Sequence, residues 1–109
     1  MIRHIVFFSA QDAEDVERIC AGLSVLTAIP HADRLEVAVN DKGDALSRDV
    51  DVVVYGEFAD AAALEAYKAH PLYQRSIDLV RPLRRMRMAA DFDTATATSE
   101  PLPMPGPGR

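Results

Sequence analysis

Cysteine, glycine-rich loops, basic surface and long apolar runs are all scarce in this 109-residue chain, and each scarcity removes a class of function. A single cysteine, Cys20, excludes an internal disulfide and fits a reducing compartment. Gly22, Gly43 and Gly56 stand alone, so there is neither a phosphate-cradling glycine loop nor a nucleophile elbow. Basic residues number 12 against 17 acidic ones, a net charge of −5, which argues against nucleic acid or an anionic membrane as the main partner. No apolar run approaches the roughly 18 residues of a membrane span. Met1 leads into a strand-like segment without a signal-peptide pattern, so the cytoplasm is the expected location. His4, His31, His70 and Cys20 match no metal-ligand spacing, and the expectation is no side-chain metal site and no cofactor.

What the chain does have is apolar strands of two kinds. Ile5-Val6-Phe7-Phe8 and Val52-Val53-Val54-Tyr55 are continuous runs, whereas Leu35, Val37 and Val39 alternate with Glu36 and Ala38. Met88, Ala90 and Phe92 likewise alternate with Arg87, Ala89 and Asp91. Successive strand side chains point to opposite faces, so the continuous runs belong to strands covered on both sides. Between the strands lie helical stripes. Val16, Ile19, Cys20, Leu23 and Leu26 follow a candidate cap at Asp12, and Leu64 and Tyr67 follow one at Asp60. His70-Pro71 breaks the second helix, and Pro71 opens another with Leu72, Ile77, Val80 and Leu83 as its stripe. Arg81, Arg84 and Arg85 fall at the negative end of that helix and, with Arg87, read as a solvated helix terminus.

The expected strands are 3–9, 35–39, 50–58 and 86–93. The order is then β-α-β-β-α-β, the ferredoxin-like α+β arrangement, a four-stranded antiparallel sheet with its helices on one face. The first and third strands are central in that topology, and they are the two continuous runs. The other sheet face is left bare, and the simplest cover is a second copy, giving a homodimer paired through the sheet. Residues 1–93 form the expected domain. Residues 94–109, with Pro101, Pro103, Pro105 and Pro107, form a flexible tail.

Two places carry candidate chemistry. His4 shares a face with Val6 and Phe8 and reads either as a satisfied core histidine or as a general base and hydrogen-bond anchor. In Tyr67-Lys68-Ala69-His70-Pro71-Leu72-Tyr73, two phenols and an imidazole gather at one helix junction. They either hold a carbonyl and move its proton, or His70 caps the next helix while the tyrosines pack.

Four segments together resemble the stress-responsive A/B barrel (Dabb) family over residues 1–93. They are Met1-Ile2-Arg3-His4-Ile5-Val6-Phe7-Phe8, the Ile29-Pro30 turn, Phe58 before an acidic helix start, and Tyr67-Lys68-Ala69-His70-Pro71. The resemblance implies a dimeric α+β barrel with a pocket between sheet and helices. That pocket would be lined by His4, Val6, Ile19, Val52, Val54, Tyr67 and Tyr73, with His70 beside them. A plant relative is a polyketide cyclase that works without a redox cofactor. Its catalytic tyrosine matches Tyr67 and a first-strand histidine matches His4, but Tyr73 and Val52 stand where it has histidines. The resemblance therefore implies first a small-molecule-binding dimer of unassigned activity, its ligand a small carbonyl compound. The alternatives are a cofactor-free enzyme, cyclase-like or monooxygenase-like, with His4, Tyr67 and Tyr73 as catalytic residues, and a structural self-associating protein. A cavity of ~300 Å³ or more touching His4 and Tyr67 separates the first two from the third.

Overall fold

The computed structural model describes residues 1–99. Strand β1 spans Ile2–Ala10, helix α1 Val16–Ser24, β2 Arg34–Val39, β3 Val52–Phe58, α2 Ala61–Ala69, α3 Pro71–Val80 and β4 Arg84–Asp93. The strands form one sheet in the order β2-β3-β1-β4, and every neighbouring pair is antiparallel. The two continuous apolar runs are the central strands and the two alternating segments are the edges, as the pattern requires.

The helices pack on one face. His4, Val6 and Phe8 of β1 and Val52, Val54 and Phe58 of β3 are buried beneath them, while Ile5, Phe7, Val53 and Tyr55 on the reverse face stay half-exposed. The core closes with Ile19, Leu23 and Leu26 from the α1 region, Leu64 and Tyr67 from α2, and Val80 from α3. Gly22 sets how closely α1 and α3 approach. Its carbonyl accepts the Ser76 hydroxyl at 3.0 Å, and a β-carbon there would lie 2.8 Å from Val80 Cγ2. Cys20 is half-buried at the margin of this core.

Local boundaries differ from the sequence reading in three places. Asp12 does not cap α1 with its side chain; the chain enters through a 3₁₀ turn, Ala13–Asp15, in which the Asp12 carbonyl accepts the Asp15 amide. β3 begins at Val52 rather than Val50, because the Val50 amide is turned back to Ser47. α3 stops at Val80, so Arg84, Arg85 and Arg87 lie on β4 and not on a helix end. Asp60 does cap α2, accepting the Ala63 amide at 2.8 Å.

Thr94, the first residue of the expected tail, is held by the Met1 carbonyl through its amide at 2.9 Å. Residues 100–109, including the alternating prolines, lie outside the described residues. Among the described residues no helix is long and apolar enough to cross a membrane. No group of three His, Cys, Asp or Glu side chains comes together there to hold a metal ion.

Asp51 fastens the loop before β3 to the end of β1. Its carboxylate accepts the Ala10 amide at 2.8 Å and the Lys42 ammonium at 2.6 Å. Burial pushes its pKa up, but the Lys42 and Ala10 hydrogen bonds and the charges of Lys42 and Arg85 outweigh that and hold it below the ordinary carboxylate value. The stability Asp51 contributes is therefore complete above the unfolded value of about 3.9 and is lost as pH falls through the lower, folded one. Asp51→Asn is expected to melt below the parent at neutral pH, with the gap closing as the pH approaches about 3. An equal gap in melting temperature at both pH values would contradict this role.

Candidate functional site

A cleft opens between the helix-covered face of the sheet and the helices, and the α2–α3 junction shapes it. His70 leaves the helical region, with φ −68° and ψ 141°, because Pro71 follows it, and its Nδ1 accepts the Leu72 amide at 3.1 Å. The break puts Tyr67 in the last turn of α2 and Tyr73 in the first turn of α3. Their rings meet edge to face, 5.3 Å apart.

Tyr67 is 1% exposed, packed 4.9 Å from the Phe58 ring and 6.2 Å from His4. Tyr67 lines the cleft, and no hydrogen bond among the described residues engages its hydroxyl. Burial, with Tyr73 alongside, pushes its pKa well above the ordinary phenol value, only partly offset by Arg87. Tyr67 is thus a neutral phenol at any physiological pH: a hydrogen-bond donor and not a base.

His4, 2% exposed, is gripped from the neighbouring strand. β1 and β4 pair with His4 directly opposite Asp91, and the His4 Nδ1 bonds the Asp91 carboxylate. An ionised carboxylate only accepts hydrogen bonds, so Nδ1 carries the proton and Nε2 of the neutral ring keeps its lone pair. In the neutral form of the ring, a proton acceptor and a phenol donor therefore stand side by side on the cleft, their rings 6.2 Å apart.

The cleft takes about 370 Å³ when its open mouth is counted, but the room open to a water molecule's centre is about 30 Å³. That is space for about two waters, well short of the ~300 Å³ set above, so by the volume criterion the interior alone favours the structural reading over a binder or an enzyme. The interior admits one small functional group and leaves the rest of a ligand at the mouth.

Of the residues read from the sequence, His4, Val6, Val54, Tyr67 and Tyr73 come together on this cleft. Ile19, Val52 and His70 do not. Ile19 and Val52 are fully enclosed, with Val52 paired opposite Phe8 deeper in the core, and His70 is occupied as the cap of α3 with its ring 6.1 Å from His31. The sequence reading missed Asp91, Ser76, Arg84 and Arg87. Asp91 had one available signal: in the β4 alternation it sits opposite Met88, Ala90 and Phe92, on the face that His4 shares.

Fold and cleft together define a ferredoxin-like α+β domain with a small polar-floored site between sheet and helices. Residues 2–94 match the model of the Stress responsive A/B Barrel Domain, and the chain belongs to this Dabb family. Solved structures agree. A dimeric ferredoxin-like protein of unknown function from Thermobifida fusca is 26% identical, with a TM-score of 0.71 over 84% of this chain and 88% of that one. A Dabb family protein with a ferredoxin-like fold from Mesorhizobium loti is 25% identical, with a TM-score of 0.69 over 84% of this chain and 94% of its own. A structure described as an antibiotic biosynthesis monooxygenase, 18% identical, has a TM-score of 0.70 over 86% of this chain and 98% of its own; that likeness is one of fold alone. No curated protein matches the chain.

Proposed function

We propose that this protein is a cytoplasmic homodimer that binds a small carbonyl compound, with Tyr67 donating a hydrogen bond to the carbonyl oxygen. One observation carries the reading: a nearly fully buried phenol, kept neutral, lines a cleft beside His4, and no hydrogen bond among the described residues engages its hydroxyl. The hydroxyl is not among the fully enclosed unpaired polar atoms of the described residues, so water reaches it through the cleft, and a ligand acceptor takes the place of that water. The dimer rests on the bare sheet face, where Met88 is 61% and Phe92 39% exposed beside Ile5, Phe7 and Val53, and on the Thermobifida fusca neighbour, which is described as dimeric.

The His4–Asp91 contact favours a second reading, turnover without a cofactor. Asp91 orients His4 so that Nε2 takes a proton from the carbon next to the carbonyl, while Tyr67 stabilises the enolate oxygen as a donor.

Acetylacetone, an uncharged diketone, separates these readings. Tyr67→Phe is expected to weaken its binding about tenfold, the worth of a hydrogen bond of ~1–1.5 kcal/mol, in calorimetric titration. Unchanged affinity, with an unchanged melting temperature, would dismiss the role of Tyr67. Exchange of its α-protons with D2O faster than the spontaneous rate, with the acceleration lost in His4→Phe in a protein that still binds, would make the site catalytic. Binding without accelerated exchange leaves a binding protein.

A further inference from the structure

The mouth of the cleft is cationic in a protein whose net charge is −5. Lys68 from α2, Arg81 just past α3, and Arg84 and Arg87 from β4 line one shallow depression together with Tyr73 and Ile77. Arg84, Arg87, Tyr73 and Ile77 also line the cleft, so depression and cleft are one continuous surface. No carboxylate lines the depression. The ion pairs among the described residues engage the Met1 amino group, His4, Arg18, Arg34 and Lys42, and none of these four cations.

Like charges gathered without a counter-ion repel, and the repulsion is stronger where water is partly excluded. Arg84 registers both effects: partial burial first, then the charges of Arg87 and Arg81, hold its pKa below the ordinary guanidinium value. Because α3 ends before Arg84, the helix dipole does not account for Arg84 or Arg87. Tyr73 links mouth to floor, its ring 5.3 Å from Tyr67 and its hydroxyl 3.4 Å from Arg87. The narrow interior admits a carbonyl group and leaves the other end of a short molecule beside the arginines.

We infer that the ligand is an organic anion, a short keto acid whose carboxylate is held by Arg84 and Arg87 at the mouth while its carbonyl reaches Tyr67. Guanidinium suits this task, because its fixed fork of donors matches the two oxygens of a carboxylate. Lys68 and Arg81 extend the positive field and draw the anion toward the cleft. The inference rests on the carbonyl reading above and adds the charge that selects the ligand.

The test titrates pyruvate, acetoacetate and levulinate, each against its methyl ester, by calorimetry or by amide chemical shifts. At least one acid is expected to bind about tenfold or more tighter than its ester, as a charged hydrogen-bonded contact allows. Arg84→Gln and Arg87→Gln are each expected to remove most of that preference, weakening the acid's binding far more than the ester's. The preference in the parent should also shrink as NaCl rises from about 0.05 to about 0.5 M, a result that needs no variant to fold. Acid and ester binding equally, both weakened by Tyr67→Phe, overturns the anion inference and leaves the carbonyl reading standing. Acid binding that depends on the arginines but ignores Tyr67→Phe keeps the anion site and removes the carbonyl reading. No binding by any of the acids overturns the inference.

Discussion

A chain carrying Phe7→Glu together with Val53→Glu is expected to sediment as a monomer where the parent sediments as a dimer. Phe7 and Val53 lie directly opposite each other on the central strands, and Met88 flanks Phe7 on the other side, so the pair marks the middle of the uncovered sheet face. Burying ~500 Å² of apolar surface there is worth on the order of 12 kcal/mol at ~25 cal/mol per Å², before the costs of association. Two carboxylates from each protomer, brought into that interface without partners, would each cost several kcal/mol, raising the dissociation constant by roughly a thousandfold or more. Neither residue belongs to the helix-covered core, so the far-UV spectrum should show an intact protomer. Phe7→Leu, which keeps the face apolar, should leave the dimer in place. A Glu variant that stays dimeric would show that the copies pair through another surface.

The largest effect on stability is expected from Phe58→Ala. Phe58 is fully buried at the end of β3 and is one of the largest enclosed side chains. Its ring packs against both Tyr67 and His4, and it fills the space over Gly56, where a β-carbon would come within 2.8 Å of it. Truncating a buried phenylalanine costs about 3–5 kcal/mol, a large part of the ~5–15 kcal/mol that holds a small domain together. At 4–8 °C per kcal/mol for a domain of this size, the melting temperature should fall by roughly 15 °C or more. Phe58→Leu, which leaves less empty space, should fall by much less. The same substitution removes the wall that aligns Tyr67 with His4, so ligand affinity should drop with it. A fall of only a few degrees would mean that the ring is not the keystone of this end of the core.

The architecture was legible because its signals are local. Val52-Val53-Val54-Tyr55 and Ile5-Val6-Phe7-Phe8 declare their central places by being apolar on both faces, and Asp60 and His70-Pro71 mark helix ends through chemistry confined to a few residues. Half of the site was legible for the same reason. His4, Val6 and Val54 follow from which face of a strand points at the helices, and Tyr67 and Tyr73 follow from the proline break. Asp91 and Arg87 were not, because alternation gives the face of a residue within its strand but not its register against a neighbouring strand. Only long-range packing sets Asp91 opposite His4. The arginines misled because a helix end and a short turn into an edge strand both accept such residues, and what decides is where Val80 is buried. Ile19 and Val52 were placed on the pocket because they share its face, but sharing a face does not tell lining from depth.

The ¹⁵N shifts of the His4 imidazole test the account most directly, because the chemistry proposed for the cleft depends on which ring nitrogen is free. In the neutral ring, Nδ1 should carry the proton and Nε2 should be bare, and Asp91→Asn should redistribute the proton between them. A ring protonated at Nε2 would leave no proton acceptor beside Tyr67 and would contradict the proton-transfer role of His4, and a ring indifferent to Asp91→Asn would show that Asp91 does not set its tautomer.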